Sequence, residues 1–180
     1  MSFDISALKV LFKKIFPPKK SIYTVDTNGD GKADSLLIKA FNVIMPIEVP
    51  KEIELGGFDT KSFDINNFEL SDYGKIFLDD VPINVSKKDF DIAKLKDHFV
   101  FYIKEERFTI DELLSGKLAG RIIALGDTIN ILIRIDEDGI EKFSEGKHNF
   151  KFKSEIIPIL EFNFELGKEN LNQKFESVIN

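Results

Sequence analysis

The spacing of apolar residues changes once along the chain. Residues 3–16, FDISALKVLFKKIF, follow a helical period, with Ser2, Ser6, Lys9 and Lys13 on one face and Phe3, Leu8, Leu11, Phe12 and Ile15 spread over the others. Pro17 and Pro18, which lack the N–H a continuing helix needs, end it. From Ser21 the period falls to two and β-branched and aromatic residues are enriched. This predicts strands over Ser21–Asp26, Asp34–Met45, Ser62–Leu70, Gly74–Leu78, Val81–Val85, Asp97–Lys104, Gly120–Leu125, Thr128–Ile135, His148–Lys153 and Ile157–Leu166.

The alternation is clearest where Ile129, Ile131, Ile133 and Ile135 share one face, and where Leu160, Phe162, Phe164 and Leu166 share another. Burial on one face only belongs to antiparallel sheets. Asn28-Gly29, Asp30-Gly31, Gly56-Gly57, Gly126-Asp127 and Asp138-Gly139 are the turn signals between strands. One short helix is predicted at Ile110–Ser115, capped by Thr109, with Asp111 and Glu112 in its first turn and Gly116 closing it. The segment after Gly167 is polar, and LNQKFESVI there can form a last helical turn. Many short strands joined by tight turns imply an all-β fold, an antiparallel β-sandwich with an N-terminal amphipathic helix and one internal helix. The organisation expected is a helix and Pro-Pro stop over 1–20, a sandwich over 21–167 and a polar tail over 168–180. At 180 residues this is one domain with room for a real core.

Composition sharpens that picture. With 18 Phe, 3 Tyr and no Trp, the aromatic side chains mostly serve packing, and the indole platform that stacks sugars or bases is missing. A net charge of −6, with only Arg107, Arg121 and Arg134 as bidentate phosphate readers, argues against a nucleic-acid partner. Lys9, Lys13, Lys14, Lys19 and Lys20 against Asp4 give the first twenty residues a basic character, leaving the body acidic. Residues 3–16 therefore have two readings: a helix packing its apolar face on the domain, or an interfacial anchor whose lysines meet anionic lipid. No apolar run reaches the ~18 residues of a membrane span. Without cysteine, disulfides, thiolate metal sites and cysteine nucleophiles are excluded.

The stretch richest in chemistry is Asp26-Thr27-Asn28-Gly29-Asp30-Gly31-Lys32-Ala33-Asp34. Side-chain oxygens fall at its first, third, fifth and ninth positions, and glycine at the sixth. Calcium takes about six to eight hard oxygens, and alternate residues of a tightly wound loop can aim that many inward. Asp26 and Asp30 would supply carboxylates, Asn28 an amide oxygen, Lys32 its backbone carbonyl, and Asp34 a direct or water-mediated contact. Gly31 would adopt the positive φ that turns the chain around the ion. The same dipeptides also make ordinary hairpin turns, so an ion-free turn is the competing reading. Three carboxylates in so short a loop repel one another, however, and that favours the cation.

The segment resembles the DxNxDGxxD loops of dockerin modules, thrombospondin type 3 repeats and the FG-GAP blades of integrin-like propellers. The resemblance implies an ion site over nine residues and nothing about the rest of the chain. An EF-hand fits less well, because Leu37 stands where a bidentate glutamate belongs and both flanks read as strands. Further ligands are expected from water or from a second acidic tip, either Asp136, Glu137 and Asp138 or Asp79 and Asp80. Loops without the bidentate glutamate bind at ~10⁻⁴ to 10⁻³ M, which suits calcium-rich surroundings at or outside the cell surface. The lack of a recognisable leader points instead to the cytoplasm.

Other chemistry finds less support. His98 and His148 lie in strand patterns and read as hydrogen-bonded structural residues, and Glu105-Glu106 and Asp79-Asp80 read as solvated acidic surface. No nucleophile elbow or phosphate loop is present. The run Glu145 to Phe152, ending near Ile157-Pro158, resembles the glycine, histidine and Phe-x-Phe strand of arrestin-like sandwiches, which implies that architecture and an adaptor role as the alternative function. The expectation is a non-enzymatic calcium-binding module whose partner is another protein, with peripheral membrane contact through residues 3–16 as the second possibility.

Overall fold

The computed structural model describes residues 5–49, 75–83, 99–109, 112, 116–153 and 160–179. Helix α1 (Ile5–Ile15) opens the chain. Twelve strands follow among the described residues: β1 (Ile22–Asp26), β2 (Ser35–Phe41), β3 (Ile47–Glu48), β4 (Lys75–Leu78), β5 (Val81–Ile83), β6 (Phe99–Ile103), β7 (Glu106–Thr109), β8 (Ile122–Ile123), β9 (Thr128–Arg134), β10 (Gly146–Lys153), β11 (Leu160–Leu166) and β12 (Gln173–Lys174). Two single-turn helices, α2 (Glu137–Ile140) and α3 (Phe175–Val178), complete the set. The six-stranded sheet has the order β12-β1-β2-β9-β6-β7, the four-stranded sheet β11-β10-β4-β5, and β3 pairs with β8 alone. Neighbours are antiparallel except β12, which runs parallel to β1.

The two larger sheets share one core. Ile22, Leu36, Ile38, Phe99 and Ile133 from the first meet Ile76, Leu78, Phe150, Phe162, Phe164 and Leu166 from the second in a single buried cluster. The fold is thus an all-β sandwich, and the strand alternation produces it: in β11, Phe162, Phe164 and Leu166 are buried while Glu161 and Asn163 are exposed. Phe150 and Phe164 are almost fully buried, and truncating such a ring to alanine costs about 3–5 kcal/mol.

Helix α1 ends as its prolines require. Its last turn closes through the Phe16 N–H to the Phe12 carbonyl, and Pro18 accepts the N–H of Glu165 at 2.7 Å. Phe16 lies flat on Phe162, with centroids 4.4 Å apart and planes at 11°. Phe12 and Ile15 pack against the same core, while Val10, Lys13 and Lys14 are exposed. No helix among the described residues is long and apolar enough to cross a membrane.

Several elements differ from the sequence pattern. The strand expected to reach Met45 ends at Phe41, because the Asn42 side chain turns the chain by donating to the carbonyls of Met45, Ile123 and Ala124. The strand expected over Gly120–Leu125 shrinks to β8. The turn expected at Asp138-Gly139 tightens into α2, where the Asp136 carbonyl accepts the N–H groups of Gly139 and Ile140 and Ile140 enters the core. The helical turn expected within LNQKFESVI is present as α3, and ahead of it the segment after Gly167 adds a 3-10 turn (Lys168–Asn170) and β12, which the sequence pattern does not predict. The Ser62–Leu70 strand, the Gly56-Gly57 turn, His98 and most of the 110–115 helix lie outside the described residues. The start of that helix is present as a reciprocal cap between Thr109 and Glu112.

Candidate metal centre

Asp26 to Asp34 close the β1–β2 hairpin. Val25 pairs with Ser35, and the Asp34 N–H returns to the Val25 carbonyl at 3.0 Å, so the loop is held at both ends. Gly29 and Gly31 take φ of 80° and 87° with open space where a Cβ would sit. Glycine is needed there for backbone conformation, not for room.

The side-chain oxygens at alternate positions wind the loop. Asp26 Oδ1 accepts the N–H groups of Asn28 and Gly29 at 3.2 and 2.6 Å, and its Oδ2 accepts that of Gly31 at 2.8 Å. Asn28 Oδ1 accepts the Asp30 N–H at 2.9 Å, and Asp30 Oδ1 accepts the Lys32 N–H at 2.8 Å. Asp26 is largely withdrawn from water, which opposes its charge, but the N–H groups of Gly31, Gly29, Asn28 and Asp30 outweigh that and hold its carboxyl below the ordinary range. Asp34 is oriented differently: both of its oxygens accept the Thr27 hydroxyl, and Oδ1 also takes the Ser35 hydroxyl at 2.8 Å.

A cleft of about 520 Å³ lies beside the loop. Its position follows from register, because Ser35 pairs with Arg134 and so brings the end of β9, and α2 after it, to the loop. Ile135, Ile140 and Phe143 contribute core side chains to its lining, and Asp30, Asp34, Glu137 and Glu141 contribute acids. Of the two acidic tips the sequence offered, the one carrying Glu137 therefore borders this cleft. Asp79 and Asp80 instead close β4–β5 in the other sheet, bound to His148 and Lys151.

Asp26, Asn28, Asp30, Lys32 and Asp34 thus share one loop, but among the described residues no three acidic or histidine side chains form a cluster able to hold a metal ion. Asp34 is engaged by Thr27 and Ser35 rather than gathered with Asp26 and Asp30. Thr27 and Asn172 are additional structural members. Asn172 donates through Nδ2 to the Gly31 carbonyl at 2.8 Å and through its N–H to Thr24 Oγ1. The 141- and 148-residue separations of these two Asn172 bonds leave no local signal in the sequence. His148 places both ring nitrogens against acceptors, Asp79 at 2.7 Å and the Ser144 carbonyl at 2.9 Å. Neither a protein-family model nor a curated protein matches this chain.

Proposed function

We propose that this β-sandwich is a non-enzymatic module whose Asp26–Asp34 hairpin binds calcium, the ion fixing the loop for stability and for contact with another protein. The observation that carries the reading is the run of bonds from the oxygens of Asp26, Asn28 and Asp30, each to the N–H two residues on. Such a run winds the chain tightly while leaving Asp26 Oδ2, Asn28 Oδ1 and Asp30 Oδ1 each a further lone pair, Asp26 Oδ1 being filled by the N–H groups of Asn28 and Gly29. In this reading Asp26 and Asp30 supply carboxylates, Asn28 an amide oxygen and Lys32 its carbonyl. Asp34, already engaged by Thr27 and Ser35, acts through water. Water and the acids bordering the cleft complete the shell.

The affinity expected of such a loop, ~10⁻⁴ M at the tight end of its range, makes the ion a structural fixture. At that affinity about 5 mM calcium stabilises the fold by about 2 kcal/mol, since only the folded chain binds. This corresponds to a rise of roughly 5 °C in melting temperature for a domain of this size. The test is a thermal melt in EDTA and in millimolar calcium, with magnesium as control and Asp30→Asn, which trades a carboxylate ligand for a neutral amide oxygen, as the weakened variant. Asp30 is exposed and its substitution leaves the Asp26 bonds in place. A melting temperature that ignores calcium, or an equal rise in Asp30→Asn, rules the site out.

A further inference from the structure

The outer face of the six-stranded sheet is covered by the chain's own residues 173–179. Val25, Leu37, Val100 and Leu132 are buried there, and Phe175 and Val178 of α3 pack over them, with Phe175 5.2 Å from Tyr102 between ring centroids. Two polar side chains project from the same trough. Lys39, 7% exposed, donates through Nζ to the Val178 carbonyl. Asn130, 1% exposed, donates through Nδ2 to the Ile179 carbonyl at 3.1 Å. Its Oδ1 is buried and has no hydrogen-bond partner among the described residues.

A single helical turn has no stability of its own, so α3 takes its shape from the trough that holds it. It is held as a bound peptide is: two anchors three residues apart enter an apolar surface, and two polar hooks take main-chain carbonyls rather than side chains. This recognition reads the pattern aromatic-x-x-aliphatic and little else. The occupant is also imperfect, because Asn130 offers a donor and an acceptor and only the donor is used. A buried acceptor left without a proton is unfavourable, so a segment that brought an N–H together with the carbonyl would bind better. Asn172 marks the pivot, at φ 51° and tied to Thr24 and Gly31, so residues beyond it can leave while the loop end stays in place.

We propose that this trough is a peptide-binding site, that residues 173–179 fill it as a displaceable strap, and that its occupant in trans is a partner segment with aromatic-x-x-aliphatic anchors and an amide N–H for Asn130 Oδ1. The strap then sets affinity, because a partner binds only the open fraction of molecules.

The test uses the full chain and a labelled peptide copying residues 173–179. The peptide is capped as a primary amide, whose N–H syn to the carbonyl can close on Asn130 Oδ1, or as an N-methylamide, whose N–H points away. In full-length Phe175→Ala/Val178→Ala the strap is loosened, and the primary amide is expected to bind that chain at least about tenfold more tightly than the wild-type chain. It should exceed the N-methylamide by about threefold, and Asn130→Leu in the loosened chain should abolish that preference. Equal binding to both chains, no binding to the loosened chain or no preference between the caps overturns the proposal. So does loss of the β-sheet circular dichroism in the loosened chain, because a segment the fold cannot release is no occupant.

Discussion

Two acidic turns close hairpins in the two sheets, and they handle their charge in opposite ways. The Asp79–Asp80 turn is compensated by side-chain bases: Asp79 Oδ2 lies 2.7 Å from His148 Nδ1, and Asp80 Oδ1 lies 2.7 Å from Lys151 Nζ. The Asp26–Asp34 loop is compensated by dipoles, chiefly backbone N–H groups and the hydroxyls of Thr27 and Ser35. Among the described residues no ion pair joins its acids to a basic side chain. A turn whose carboxylates are already bonded to an imidazole and a lysine offers little to a cation. One wound by amides keeps its formal negative charge, which a mobile ion can neutralise.

The sharpest way to break this contrast is Asp26→Asn. The carboxylate accepts amide protons on both oxygens, and asparagine would turn an NH₂ donor toward one set of them. The expected result in EDTA is a melting temperature lower by an amount on the order of 5 °C or more, and no recovery in calcium. If Asp26→Asn melts like the wild type, the carboxylate does not wind the loop.

Acid separates the turns next. Asp26 sits below the ordinary carboxylate range despite partial burial, because backbone N–H groups outweigh it. Asp79 is also low, partial burial being outweighed by His148 and the Asn149 N–H, and Asp80 is held low by Lys151. A carboxyl depressed by folding contributes stability that is present above its unfolded value, about 4, and that is lost as the pH falls through the folded value. Urea midpoints should therefore hold above about pH 5 as far as these groups are concerned, and fall below about pH 4. Millimolar calcium should move that fall to lower pH in the wild type and move it less in Asp30→Asn. Identical acid limbs with and without calcium would place the ion elsewhere or nowhere.

The same contrast marks what a sequence carries. The Asp26–Asp34 loop is legible because its oxygens and glycines recur at fixed local spacing. The core faces of β9 and β11 are legible because Ile131, Ile133, Phe162 and Phe164 recur at period two. Leu37, Val100 and Leu132 are not, because alternation turns them away from the core and their cover comes from Phe175 and Val178 far along the chain. A two-residue strand such as β12 has no period to read, and its place depends on Asn172 reaching Thr24 and Gly31. Asn130 looks like any outward polar residue of an alternating strand, and only the folded strap makes it buried. The order of the two acidic tips was equally hidden, since it follows from which strand lies beside β2.

The smallest effect belongs to Asp80→Asn. Asp80 is exposed, its bond to Lys151 is screened by water, and Lys151 keeps Glu161 at 3.6 Å as a second partner. The melting temperature should fall by about 2 °C or less at low salt. In about 0.5 M NaCl the difference from wild type should close, because the Debye length is then only ~4–5 Å. Asp26→Asn should keep its deficit at the same salt, since short-range hydrogen bonds to the loop's own N–H groups are not screened by mobile ions as a long-range charge interaction is. If salt erases both deficits, the loop is held by long-range charge rather than by its own N–H groups, and the contrast between the turns collapses. If it erases neither, the Asp80 carboxylate matters through a short-range contact that salt does not screen, since asparagine tolerates the left-handed backbone at φ 64° as well as aspartate does.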